Sequence, residues 1–343
     1  MNMRTTILVT GGAGYIGAHI VLELLKAGYS VVVLDNFSNS SKQSILRVNR
    51  LAKKTATIVE GSISDRECLY KIFGAYEVSA VLHLAGLKAV GESSKEPLRY
   101  YQNNFSGTLV LCEAMDKFNI KNIVFSSSAT VYGEPDKIPI TECSQTGNTT
   151  NPYGTSKYMV ERVLSDLCAA DSGWSSVVLR YFNPVGAHKS GLIGEDPKGT
   201  PCNLVPYLLQ VAVGKQTELK VYGNDYPTAD GTGVRDYIHV VDLAKGHLMA
   251  LKLIEDKAPF GIDVINLGTG RGYSVLEIID AFQKETLQSI PFRYTDRRPG
   301  DIAACFADPE YAYKRLNWRA KLKLEDMVRD AWRWQSKNPN GYN

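Results

Sequence analysis

The stretch Ile7-Leu8-Val9-Thr10-Gly11-Gly12-Ala13-Gly14-Tyr15-Ile16-Gly17 decides the fold of this chain. Three aliphatic residues lead into glycines with the spacing G-x-x-G-x-x-G, and Ile16, Ile20 and Leu24 then mark one face of a helix. Glycine in such a turn permits positive φ and lets a pyrophosphate approach the free N–H groups of a helix N-terminus. A strand, this turn and a helix in succession predict dinucleotide binding.

Apolar runs and helical patterns alternate beyond this turn. Continuous apolar strands separated by helices predict an α/β fold with a Rossmann-type, doubly wound parallel sheet covered on both faces. Long helices are predicted over 98–118 and from Tyr153 onward. The further predicted strands include residues 31–34, 57–59, 80–84, 120–126 and 177–179.

The amino-acid composition changes after residue 182, where glycine and proline become frequent. We therefore predict an NAD-binding Rossmann domain over 1–182 and a smaller, mixed α/β substrate domain over 183–343. Within the second domain, 236–255 reads as a strand followed by a helix and could pack back on the first domain.

Composition narrows the class of protein. The 343 residues carry a net charge of +3 and 44% apolar residues, without an extended basic tract. We expect no nucleic acid partner and, without 18 consecutive apolar residues or a secretory signal, no membrane partner. The six cysteines form no C-x-x-C pair and the five histidines are scattered, so we expect free thiols, a cytoplasmic location and no metal site.

Asp35 ends the second predicted strand, 18 residues after Gly17. A carboxylate at this position can accept hydrogen bonds from ribose hydroxyls and would repel the extra phosphate of NADP, so the predicted cofactor is NAD. The alternative is an aspartate that caps a turn together with Asn36.

Tyr153 and Lys157 lie four residues apart, so they share one face of the predicted helix. An adjacent ammonium lowers the pKa of a tyrosine from its ordinary value of about 10, and the phenolate then accepts a proton from a sugar or alcohol hydroxyl. Such a pair also arises by chance on solvated helices. Ser126 to Ser128 end the fifth strand, where a serine hydroxyl would face the cofactor crevice.

Several motifs in one order resemble the extended short-chain dehydrogenase/reductase family and, within it, the UDP-galactose 4-epimerases. The resemblance spans nearly the whole chain. Its matching stretches are residues 11–17, 84–93, 103–104, 125–133, 151–157, 180–184, 230–237 and 298–301.

The resemblance implies reversible 4-epimerisation of UDP-hexoses through a 4-keto sugar, with tightly bound NAD. Tyr153 would take the proton of the 4-hydroxyl, Ser128 would hydrogen-bond the same oxygen, and Lys157 would lower the tyrosine pKa. Related dehydratases carry an Asp-Glu pair where this chain has Ala129-Thr130, so dehydration is disfavoured. The small Cys305 stands where relatives restricted to glucose and galactose carry tyrosine, which implies activity on UDP-GlcNAc and UDP-GalNAc as well.

The resemblance also assigns the binding residues and a homodimer built from the two long helices. Ser62 departs from the family's usual aspartate and leaves adenine recognition less certain. The cofactor residues are Gly11, Gly14, Tyr15, Ile16, Gly17, Asp35, Asn36, Asn39, Ser40, Ser62, Ile63, Leu84, Ala85, Lys88, Asn103, Ser126 and Tyr181. The UDP-sugar residues are Asn183, Asn203, Leu204, Arg235, Tyr237, Arg298, Asp301 and Cys305.

Two other functions remain open at this level. One is a sugar-nucleotide reductase or dehydrogenase with net redox, which would consume added cofactor. The other is a non-catalytic, NAD-sensing regulator, a class of protein that does not need the Tyr153–Lys157 pair.

Overall fold

Seven parallel strands form the central sheet, in a computed structural model that describes residues 5–199, 201–298 and 300–342. Their order across the sheet is β10-β6-β5-β4-β1-β2-β3, which confirms the predicted doubly wound α/β fold. Along the chain the strands are β1 (Thr6–Thr10), β2 (Ser30–Asp35), β3 (Thr57–Glu60), β4 (Val78–His83), β5 (Asn122–Ser128), β6 (Ser175–Tyr181), β7 (Asn183–Val185), β8 (Leu219–Tyr222), β9 (Val234–His239), β10 (Gly261–Leu267), β11 (Gly272–Ser274), β12 (Phe292–Thr295) and β13 (Ala304–Cys305).

Helices cover both faces of this sheet because successive strand residues point to opposite sides. Ile7 and Val9 of β1 belong to the core on one face, with Leu24 of the first helix, whereas Leu8 belongs to the core on the other. The helices are α1 (Tyr15–Ala27), α2 (Lys42–Ala52), α3 (Arg66–Ala75), α4 (Val90–Lys95), α5 (Pro97–Tyr100), α6 (Gly107–Lys117), α7 (Pro152–Ala170), α8 (Leu204–Ala212), α9 (Val240–Lys257), α10 (Val275–Thr286), α11 (Glu310–Leu316) and α12 (Leu324–Lys337).

The seventh strand of the sheet comes from the second half of the chain. Strand β10 pairs in parallel with β6, and helix α9 packs against α1. The predicted domain boundary at residue 182 therefore leaves part of the sheet outside the first domain. Residues 240–267, which follow the boundary, pack on the sheet as α9 and β10. Nothing in the local sequence of β10 distinguishes a strand of the central sheet from one of a separate domain.

A smaller sheet lies beyond the carboxyl end of β6. Strand β9 pairs with β7, β11 and β13 in this sheet, and β8 pairs with β12 in a separate two-stranded sheet. Its core combines α8, α10 and α12 with β8 and β9. Because Phe182 alone separates β6 from β7, the small sheet begins next to the site where β6 ends.

The long helix predicted over 98–118 is interrupted. Helix α5 is followed by a π-helical turn over Tyr101–Ser106, and α6 resumes at Gly107. Such π turns are often found at functional sites. Among the described residues, no helix is both long enough and apolar enough to cross a bilayer.

Candidate active site

The glycine turn between β1 and α1 has the geometry that its sequence predicts. Gly11 has φ of +67°, and a Cβ on this residue would lie 2.7 Å from the backbone nitrogen of Ala85. A Cβ on Gly17 would lie 2.3 Å from the carbonyl oxygen of Gly11. Glycine is therefore required for the turn to close against itself and against the loop after β4.

The start of α1 is suited to an anion. Gly14 is its N-cap, and no side chain of the described residues caps the helix. Its first N–H groups and the positive end of the helix dipole are therefore free for a phosphate. Tyr15 and Ile16 begin the helix half-buried, and the Tyr15 hydroxyl donates to the carbonyl of Gly186 at 2.6 Å.

Asp35 braces the glycine turn from the end of β2. One carboxylate oxygen accepts a hydrogen bond from the backbone nitrogen of Ala13 at 2.9 Å. The other accepts from the backbone nitrogen of Phe37 at 3.0 Å and from the Ser40 hydroxyl at 2.8 Å. Asp35 thus caps a turn, which is the alternative role considered for it. It also lies at the edge of the sheet where the cofactor is predicted to bind.

The neighbouring cofactor candidates lie along the same carboxyl edge of the sheet. Asn36 accepts from the backbone of Ser38 at 3.0 Å, and Ser62 shares a hydrogen bond with Ser64 at 2.8 Å. The edge is completed by Asn39 near β2, Ile63 after β3, Leu84 and Ala85 after β4, Ser126 in β5 and Tyr181 at the end of β6.

Tyr153 and Ser128 meet at the carboxyl end of β5. Asn151 caps α7 by accepting from the backbone of Gly154 at 2.9 Å, which places the buried Tyr153 in the first helical turn. Burial raises the pKa of the Tyr153 phenol, and a hydrogen bond with Ser128 opposes that rise. The Ser128 hydroxyl oxygen accepts from the backbone and hydroxyl of Thr130, at 3.2 and 3.0 Å, so its proton remains available to donate.

Lys157 contacts the end of β5. Its Nζ donates to the carbonyl of Ser126 at 2.8 Å, and burial lowers its own pKa to about 8. That Lys157 lowers the pKa of Tyr153 stays a prediction. The hydrogen bond with Ser128 favours the phenolate, as does the positive end of α7.

Two residues predicted to bind the cofactor, Lys88 and Asn103, contact other side chains. Lys88 forms an ion pair with Glu195 at 2.8 Å, and its Nζ lies 5.9 Å from the centre of the Tyr15 ring. The half-buried Asn103 donates to the side chain of Asn104 at 2.9 Å. Asn104 is buried in the π turn, where it accepts from the backbone nitrogen of Leu87 at 2.8 Å and fixes the loop after β4.

The UDP-sugar candidates gather on the small sheet and around the start of α8. Arg235 faces Asp301 at 3.9 Å, and the Arg298 guanidinium donates to the carbonyl of Cys202 at 3.1 Å. Cys202 immediately precedes Asn203, the N-cap of α8, and Leu204, its first residue. Guanidinium groups suit a diphosphate, because their planar fork donates two parallel hydrogen bonds. Pro299, within the stretch that resembles the family, lies outside the described residues.

Cys305 joins this group to the catalytic segment. It is paired with Arg235 across β13 and β9, while Asn183 is paired with Tyr237 across β7 and β9. Cys305 also packs, with Ala129, against a small apolar cluster beside β5. Burial raises the pKa of its thiol to about 11, so it presents a small, uncharged side chain.

Sequence reasoning missed a buried ion pair between Arg180 and Glu161, although both residues lie close to quoted motifs. The guanidinium Nη2 donates to the Glu161 carboxylate at 2.6 Å, and both side chains are less than a tenth exposed. Glu161 lies one helical turn beyond Lys157, a spacing that could have revealed it.

The glycine turn, the uncapped start of α1 and the carboxylate at the end of β2 fit NAD. The sequence matches the model of the NAD dependent epimerase/dehydratase family over residues 7–268. It is 59% identical over 336 residues to a UDP-glucose 4-epimerase of Bacillus subtilis strain 168, and the match covers 98% of each chain.

Solved structures agree with this match. The structure of UDP-glucose 4-epimerase from Bifidobacterium longum in complex with NAD+ and UDP has a TM-score of 0.95 and 54% identity, covering 98% of this chain and all of the other. The UDP-Glc/GlcNAc 4-epimerase of Campylobacter jejuni has a TM-score of 0.84 and 35% identity, covering 97% and 99%. The chain therefore belongs to the NAD dependent epimerase/dehydratase family.

Proposed function

We propose that this protein is an isomerase that interconverts UDP-hexoses at carbon 4, with NAD as its tightly bound cofactor. The observation that carries the proposal is the meeting of Tyr153 and Ser128 at the carboxyl edge of the sheet, the edge that also carries the glycine turn. The segment that follows Ser128 supplies Ala129 and Thr130, neither of which can act as an acid or base. The related UDP-glucose 4-epimerases, at full length and high identity, support the same chemistry.

The residues supply the proton chemistry of such a reaction. The Tyr153 phenolate accepts the proton of the sugar 4-hydroxyl, and the free Ser128 proton donates to the same oxygen. Lys157 has three N–H donors and spends one on Ser126, so two remain for a ribose hydroxyl of the cofactor. NAD, when bound, would supply a hydride acceptor that is regenerated in each cycle, so the overall reaction would involve no net oxidation.

Incubation with UDP-glucose in the absence of added cofactor tests this function. Proton NMR of the anomeric signals should show UDP-galactose forming until equilibrium. A sugar-nucleotide dehydrogenase would instead stop after one turnover per bound cofactor, and an NAD-sensing regulator would leave the substrate unchanged. The relatives do not favour either alternative.

The finer proposal is that UDP-GlcNAc and UDP-GalNAc are also interconverted. Cys305 supports it, because a small side chain beside Ala129 leaves room for an acetamido group. The similar enzyme of Campylobacter jejuni is described as a UDP-Glc/GlcNAc 4-epimerase. The same NMR assay with UDP-GlcNAc tests it, and UDP-glucuronate serves as a comparison substrate.

We also propose a cytoplasmic homodimer. Helices α4 and α5 contact α7, and they carry the exposed apolar side chains of Val90 and Leu98, the second of which is 74% exposed. The six cysteines, all within the described residues, are free thiols, which is compatible with a reducing compartment. Light scattering on the purified protein measures the oligomeric state.

A further inference from the structure

A buried polar network begins at Glu161 on the catalytic helix. Its carboxylate accepts from the Ser127 hydroxyl at 2.5 Å and from the Nε and Nη2 atoms of Arg180 at 3.0 and 2.6 Å. Ser127 precedes Ser128 in β5, and Arg180 lies in β6. Glu161 thus ties the helix of Tyr153 to the strand of Ser128.

The network continues from Arg180 toward the sugar side of the site. Its Nη1 donates to the Tyr132 hydroxyl at 3.0 Å, and that hydroxyl donates to the Asn266 side chain at 2.7 Å. The amide of Asn266 donates to the carbonyl of Ile140 at 3.0 Å. All three contacts are buried.

The last step reaches the segment that contains Cys305. The backbone nitrogen of Ile140 donates to the carbonyl of Phe306 at 2.8 Å, and its carbonyl also accepts from the backbone of Asp308 at 2.8 Å. The catalytic helix is therefore joined by an unbroken chain of hydrogen bonds to the segment 305–308, which we call the Cys305 wall. Mutually satisfied buried networks of this kind fix the relative positions of the elements that they join.

From this geometry we infer that Glu161 and Arg180 are positioning residues, which hold Tyr153 and Ser128 on one substrate oxygen and keep the Cys305 wall in register with them. The inference rests on the proposed epimerase function. The proposed reaction requires the hydroxyls of Tyr153 and Ser128, which lie on different elements, to address one substrate oxygen, and the network joins those two elements.

Glu161 also acts on Lys157 through its charge. The charge of Lys157 interacts with the Glu161 carboxylate on α7 and with the imidazole of His83 on β4. His83 is buried and its pKa is lowered to about 3, so it is neutral. Among the described residues, the Glu161 carboxylate is the group whose charge raises the pKa of Lys157.

The test compares Glu161→Gln and Arg180→Met with a control pair on the same helix. Arg162 and Asp166 form an exposed ion pair, so Arg162→Met and Asp166→Asn remove similar charges without touching the network. We expect Glu161→Gln and Arg180→Met to lower kcat about 10- to 100-fold with little change in KM, as misplacement of reacting groups does. The control variants should match the wild type.

The pH dependence provides a readout that a merely structural role would not move. Activity should fall on the alkaline side as Lys157 loses its proton. Glu161→Gln should move this fall to lower pH, because it removes a charge that stabilises the ammonium. Arg180→Met should move the alkaline fall to higher pH, because the positive charge of Arg180 no longer offsets the effect of the Glu161 carboxylate on Lys157.

Tyr132→Phe is the second variant, because it removes a single hydroxyl and keeps the ring. It should lower kcat less than Glu161→Gln and leave the alkaline limb in place. Wild-type kcat in folded Glu161→Gln or Tyr132→Phe, or alkaline limbs that shift in the same direction in the two charge variants, would overturn the inference. Failure of the wild type to epimerise any UDP-sugar would instead overturn the proposed function.

Discussion

Replacing Gly17 with alanine should release the cofactor. The new Cβ would lie 2.3 Å from the carbonyl oxygen of Gly11 and 2.7 Å from the Cα of Gly12. Both atoms are backbone, so no side chain can rotate away. Because nonbonded atoms need well over 3 Å, the glycine turn must open by about 1 Å.

The size of the effect follows from what the turn offers to a phosphate. Overpacking of this kind costs roughly 1–3 kcal/mol of stability. Losing two backbone hydrogen bonds to a charged phosphate, at about 1.5 kcal/mol each, corresponds to about 3 kcal/mol of binding energy. We therefore expect NAD affinity to fall by about 100-fold.

Gly91→Ala is the matched control. Gly91 lies in α4, and a Cβ there meets no atom within 4 Å. Alanine should be neutral or stabilise the helix by up to about 1 kcal/mol. Cofactor retained after dialysis, measured by absorbance after release with acid, and NAD affinity by calorimetry compare the two variants. Wild-type retention by folded Gly17→Ala would refute the reasoning on the turn.

Three further predictions concern the active site and stability. Tyr153→Phe should keep NAD bound but lose at least about 100-fold in kcat, since the proton acceptor is gone; unchanged epimerisation by NMR would exclude this role. Cys305→Tyr should abolish turnover of UDP-GlcNAc and spare UDP-galactose, and equal loss of both activities would contradict the size argument. Burial lowers the pKa values of His19 and His83 to about 3 and of His247 to about 4. These three side chains therefore bind more protons in the unfolded chain than in the folded chain below pH 6.5. They alone should lower the free energy of unfolding with decreasing pH, by roughly 4 kcal/mol per pH unit near pH 5, measurable as an earlier urea midpoint.

The sequence was informative where one local pattern determines one local structure. The glycine spacing predicts the turn before α1, and the apolar runs predict the strands from β1 to β6. The rule that ligands bind beyond the carboxyl ends of strands predicts the site where the carboxyl end of β5 meets the start of α7.

The remaining features depend on contacts between distant segments. Asn104 sits in a π turn and its amide holds the loop at Leu87, a partner that no spacing in the sequence identifies. The direction of the Lys157 side chain is set by the carbonyl of Ser126 on another element. Helical spacing alone could not identify this contact.

The origin of β10 has a consequence for how the chain is made. Its partner β6 ends at Tyr181, about 80 residues before Gly261, where β10 begins. At roughly 5–20 residues per second, the ribosome would leave the edge of β6 unpaired for about 4 to 16 s after it emerges. An unpaired parallel edge is a template for aggregation. We therefore expect the open edge of β6 to need protection during translation until β10 has been made.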